Sequence, residues 1–116
     1  MKYMLMIYRN ENKFGNQASG DHSAPYIAYT QALAGSGVLV GGDRLQPVTT
    51  ASTVRQVNGK TTVLDGPYAD SKEQLGGFYI IDVPDLDSAL QWAARCPGAA
   101  QGSVEVRPLW QMPPPK

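Results

Sequence analysis

Asp65 opens the stretch Asp65-Gly66-Pro67-Tyr68 and is the acid whose neighbours most suggest chemistry. Facing a cavity, its carboxylate could act as a general base or anchor a ligand. An aspartate before Gly-Pro is also turn chemistry, accepting backbone N–H bonds, and that structural reading is favoured. Lys72 and Glu73 follow in a short polar run. They are candidates to line a pocket, although solvated surface charge is the favoured reading. His22 is the single histidine, and Asp21 beside it could orient the ring. Its ordinary pKa lies near neutrality, which suits proton transfer. One isolated histidine makes a poor metal site, and neither Ser-His-Asp nor Cys-His spacing is legible. A solvated or capping His22 is therefore favoured. The catalytic candidates are Asp65, Glu73 and His22.

The candidate ligand contacts are Tyr8, Asp43, Tyr68, Lys72, Tyr79 and Arg107. Tyr8, Tyr26, Tyr29 and Tyr79 are more often core or interface than ligand cage, but a hydroxyl facing a cavity supplies a hydrogen bond. Glu105 and Arg107 share one face of a strand, where they could pair, gate a cavity or be solvated. Cys96 ends a helix beside Pro97, a position that disfavours a thiolate, so an inert cysteine is expected. Gly76-Gly77 precedes an apolar strand and lacks the spacing and following helix of a phosphate loop. A bulge or close approach of another backbone is the better reading. No metal set and no cofactor is expected.

Hydrophobic pattern gives the elements that must carry these residues. Tyr3 to Tyr8 is an apolar run without alternation, a strand buried on both faces. Residues 9–22 are polar loop. A helix is predicted from Ser23 as N-cap, with Pro25 in its first turn and Tyr26, Tyr29 and Leu33 on one face. Gly35 and Gly37 end it. Val38-Leu39-Val40 is a strand stopped by Gly41-Gly42-Asp43. Residues 53–57 and 60–64 flank Asn58-Gly59, the signature of a type I′ hairpin. Residues 69–75 form a short helical turn, and 76–83 a strand. Asp85 caps a helix carrying Leu86, Ala89, Leu90, Ala93 and Ala94, ended by Pro97-Gly98. Ser103 to Arg107 alternates as a strand with one polar face. Residues 112–116 make a mobile Pro-rich tail.

A chain of 116 residues fits a single domain, here 1–111, and can bury roughly two thirds of its unfolded surface. Ten basic residues balance ten acidic ones, which gives no electrostatic reason to seek nucleic acid. No window of about 18 apolar residues exists to span a membrane, and the N-terminus does not read as a signal peptide. One cysteine excludes an internal disulfide. A cytoplasmic protein is expected.

The order β, α, β, hairpin insertion, β, α, β is an α+β, ferredoxin-like βαββαβ plan with two helices on one face of the sheet. Phe78 and Ile80 then point away from Tyr79, Ile81 and Val83. One of these sets would face water in a monomer, and an apolar patch that large usually marks an interface. A homodimer packed sheet to sheet is expected; the competing arrangement folds the hairpin or the 9–22 loop over that face.

Asp65-Gly66-Pro67-Tyr68 with Lys72-Glu73-Gln74-Leu75-Gly76-Gly77-Phe78-Tyr79 resembles the DGPF signature of the YCII-related family. Asp82-Val83, Asp85-Leu86-Asp87, Trp92-Ala93-Ala94-Arg95 and Gly102 to Pro108 fit as well, and the N-terminal third fits loosely. The resemblance implies a dimeric α/β barrel in a family largely without assigned biochemical function. Tyr68 stands where Phe is usual. Ser88 stands where an acid is usual, so the capping box from Asp85 is lost. Some members carry a suggested catalytic His/Asp pair with the histidine inside the first helix; His22 precedes the expected helix, so that role is not carried over. Two functions compete: a small-molecule pocket in a homodimer, or a non-catalytic regulatory or protein-interaction module. Neither involves nucleic acid or membrane.

Overall fold

The structure, a computed structural model, describes residues 1–10, 20–68 and 72–111, with residues 20–23 by backbone alone. Strand β1 (Lys2–Arg9) is followed by helix α1 (Gly20–Gly35), strand β2 (Leu39–Arg44) and a 3-10 turn (Val48–Thr50). The hairpin β3 (Ser52–Val57) and β4 (Lys60–Asp65) comes next. Strand β5 (Gln74–Asp82), helices α2 (Leu86–Arg95) and α3 (Pro97–Gln101) and strand β6 (Ser103–Pro108) complete the order. The chain is α+β, with antiparallel sheets and three helices among the described residues, compatible with a ferredoxin-like arrangement. Four strands form one sheet in the order β2-β5-β1-β6, while among the described residues β3 and β4 pair only with each other. No helix among the described residues is long and apolar enough to cross a membrane.

Alternation along β1 separates two apolar sets. Tyr3, Leu5 and Ile7 are buried, whereas Met4 and Met6 are only partly so. The buried set meets Ile81 and Val83 beside it, Tyr29 and Leu33 of α1, and Ala89 and Ala93 of α2. Leu5, Leu33 and Ile81 are wholly enclosed. Asp85 caps α2, its Oδ1 accepting from the Ser88 N–H at 2.8 Å. Leu86 and Leu90, read as part of the inward stripe, are 48% and 46% exposed. The helix seats on its small alanines, which turns the flanking leucines outward. On the opposite side of the sheet Met4 pairs with Ile80 and Met6 with Phe78, all four half-buried. No described helix covers that side.

Several boundaries differ from the sequence expectation. Helix α1 starts at Gly20, not Ser23, so His22 stands in its first turn rather than before it. Pro25 is the sixth residue of the helix, past the first turn where it was expected, so its missing N–H removes one helical bond. Strand β2 runs through Gly41-Gly42-Asp43 to Arg44, both glycines pairing with β5 while a register shift between Leu39 and Gly41 leaves Val40 over. Strand β5 begins at Gln74, where a helical turn was expected over 69–75, and ends at Asp82. Pro97-Gly98 ends α2 and also opens α3, Pro being suited to a first helical turn. Of the expected turn 69–75, residues 69–71 lie outside the described residues, as do 11–19 of the 9–22 loop and the tail 112–116.

The hairpin turns at Asn58 (φ 52°) and Gly59 (φ 79°), the two positive values a type I′ turn requires. Val54, Val63 and Leu64 on it are 62%, 65% and 62% exposed. The hairpin scarcely touches the main sheet. Accordingly the radius of gyration is 16.2 Å, against roughly 13 Å for a compact chain of this length.

Candidate functional site

A cleft of about 460 Å³ opens between α1 and the sheet where β1, β5 and β2 run side by side. Ile7 and Tyr79 line it from the sheet, Tyr26 and Thr30 from α1, and Arg9 and Arg44 from the ends of β1 and β2. The space exists because side chains are missing. Ile7 and Arg44 both pair with Gly77, which presents nothing between them. A bulge in β5 at the same level sets Ile7 opposite Gly77 and Tyr8 opposite Leu75, leaving Gly76 over. Gly42, at φ 156°, has no room for a substituent. A Cβ there would lie 2.5 Å from the Phe78 carbonyl oxygen and 3.1 Å from Tyr79 Cδ1.

Tyrosines supply most of the polar chemistry. The Tyr79 hydroxyl and Thr30 Oγ1 are 2.7 Å apart, which fixes the phenol on the cleft wall. Burial pushes the Tyr79 pKa up, and the Thr30 bond opposes it. The Tyr26 pKa is pushed up to about 12, chiefly by burial and then by the neighbouring Cys96, while Arg9 and Arg44 pull it down. Tyr26 is half-buried and its hydroxyl has no hydrogen-bond partner among the described residues. Both phenols therefore stay protonated at neutral pH and act as hydrogen-bond donors, not bases. Behind Tyr79 the ring of Tyr29 stands edge-on, centroids 5.4 Å apart, and Trp92 follows at 6.2 Å. Tyr29 donates to the Trp92 carbonyl oxygen at 2.6 Å. Cys96 is buried in the same core, which raises its thiol pKa against two local backbone N–H groups.

The residues singled out from sequence fall in three places. Tyr79 and Asp43 line the cleft. Tyr8 and Arg107 lie on the helix-free side of the sheet, Tyr8 with its pKa raised first by burial and then by Glu105. Arg107 Nε is 3.9 Å from Glu105 Oε2, a loose exposed pair of little energetic weight. Glu73 accepts from Ser103 Oγ at 2.7 Å, and Ser103 is the ladder partner of Tyr8. Asp65 ends β4 exposed opposite Ser52, and Tyr68 is 79% exposed with the Arg55 guanidinium 6.0 Å from its ring centre. Lys72 is exposed between these regions. The side chain of His22 lies outside the described residues. Asp65 and Glu73 do not meet. No group of three metal-ligating side chains occurs among the described residues.

Sequence reasoning passed over Arg9, Gln31 and Arg44, and took Tyr26 for core or interface. Arg9 ends an apolar run and Arg44 follows a Gly-Gly pair; only the β1-β5-β2 pairing brings the two to one opening.

A family model for the YCII-related domain matches residues 1–113. The chain belongs to the YCII-related family. The uncharacterized protein R00369 of Rhizobium meliloti (strain 1021) is similar to it, 40% identical over 118 positions that span 94% of this chain and 92% of that protein. In this YCII-related chain the Asp-Gly-Pro-Tyr segment lies at the base of the hairpin, away from the cleft. Gly66 there has φ 122°, its N–H donates to the Ala51 carbonyl at 2.7 Å, and its own carbonyl accepts from Thr53 Oγ1 at 2.8 Å. The signature closes the hairpin in this fold.

Proposed function

We propose that this YCII-related chain acts as a homodimer that holds a small organic molecule in the cleft between α1 and the sheet. The cleft carries the reading: about 460 Å³ of mixed apolar and polar lining is within the usual range for small-molecule sites, roughly 300–1,000 Å³. The homodimer draws on two unpartnered apolar surfaces, the Met4, Met6, Phe78 and Ile80 side of the sheet and the exposed hairpin. An isolated two-stranded hairpin is barely stable in water, so a second copy receiving it supplies the missing packing. The exposed hairpin is also what favours an interaction module, and the second copy is the partner assigned to it here.

Two measurements test the reading. Light scattering after size exclusion should give twice the chain mass at micromolar concentration. Amide spectra recorded with a fragment library should shift at residues 26–31, 42–44 and 76–79. A monomer removes the dimer, and shifts confined to other regions remove the cleft.

A further inference from the structure

Resting on the cleft reading, we infer the class of ligand: an organic anion, one anionic head on an apolar body, its head meeting Arg9 and Arg44 and its body lying against Ile7 and Ile27. Two guanidinium groups line the cleft, and Asp43 is the single carboxylate among the described residues that do so. Arg9 has no ion-pair partner among the described residues. Arg9, Arg44 and Tyr26 line the same cleft, so two charges and this donor border one volume. A guanidinium offers paired N–H donors that match a carboxylate or phosphoryl group, and a half-buried phenol beside it adds a third donor direction. Beside the polar Thr30 and Gln31, part of the remaining lining is suited to hydrocarbon. Ile7 and Ile27 present apolar surface, Ile27 being 57% exposed. Gly77, lacking a side chain between Ile7 and Arg44, gives the head group its path inward.

The ligand class is tested on the whole chain by amide chemical-shift titration with matched probes. Benzoate, phenylacetate and phenyl phosphate are the anions, benzamide and benzyl alcohol the neutral counterparts, and inorganic phosphate the head without a body. The aryl anions should bind at least tenfold more tightly than the neutral probes, with shifts at residues 26–31 and 42–44. Preference between phenylacetate and phenyl phosphate identifies the head group. Arg9→Gln should weaken the anions about tenfold and leave the neutral probes unchanged. Arg107→Gln, on the other side of the sheet, should change neither. Equal binding of acid and amide overturns the ligand class and leaves the cleft reading standing. Inorganic phosphate binding as tightly as the aryl anions also overturns it, because the body then contributes nothing. If no probe of either charge shifts the cleft amides, both readings fall. Arg9→Lys separates charge from geometry: retained anion preference with weaker affinity supports the paired-donor contact, and affinity equal to wild type overturns it.

Discussion

Two side chains show how single contacts set stability here. Tyr29 buries its ring among Leu33, Tyr79 and Trp92 while its hydroxyl finds the Trp92 carbonyl at 2.6 Å. Tyr29→Phe keeps the ring and strands that carbonyl, so it should cost about 1–2 kcal/mol in urea denaturation. Asp85 is the acid test. Accepting from Ser88, chiefly its N–H, holds its carboxyl below the ordinary 3.8. A folded pKa depressed below the unfolded one gives stability that is present above the ordinary value and lost as pH falls through the folded one. Denaturation midpoints followed from neutral pH down to about pH 2 should therefore decline more steeply in wild type than in Asp85→Ala. Asp85→Ala should be the less stable of the two at neutral pH, the gap closing in acid. A gap that persists undiminished at the acid end contradicts the capping role.

The Asn58-Gly59 turn and the Asp85 cap were the features most legible in the sequence, because each depends on one or two residues with a single conformational demand, whereas Ser23 was misread as a cap. Asn58-Gly59 specifies its turn by positive φ, and Asp85 specifies the start of α2 by one side-chain bond. Strand ends were less legible. Gly41-Gly42 reads as a stop by composition, yet pairing with β5 carries β2 through both residues. The cleft was hardest to see, since it is made of what is missing. Gly77 and Gly42 leave space only once β5 lies between β1 and β2, and Arg9 and Arg44 are far apart in the chain. Paired substitutions expose this. Gly41→Ala meets nothing within 4 Å and should be nearly silent. Gly42→Ala drives a Cβ onto the Phe78 carbonyl oxygen at 2.5 Å and should cost more than about 1 kcal/mol in thermal unfolding. Equal effects at the two positions would place the constraint elsewhere.

At the scale of the whole molecule, one side of the sheet carries the described helices and the other carries none of them. Leu5, wholly enclosed on the helix side, should cost about 2–5 kcal/mol when cut to alanine. Ile80→Lys, on the other side, should leave far-UV circular dichroism intact and shift the proposed dimer to monomer at micromolar concentration. Loss of helical signal in that variant would point instead to a core role for Ile80. The row of rings from Tyr79 through Tyr29 to Trp92 has a further consequence. Tyr79 forms part of the cleft wall, so anything entering touches the first member of a series that ends in an indole. Excitation absorbed by the phenols should pass to that indole, over which Arg95 lies 4.3 Å from the ring centre. Trp110, 92% exposed, can be silenced by acrylamide. Occupancy should then be visible as a change in the remaining fluorescence, with no label attached.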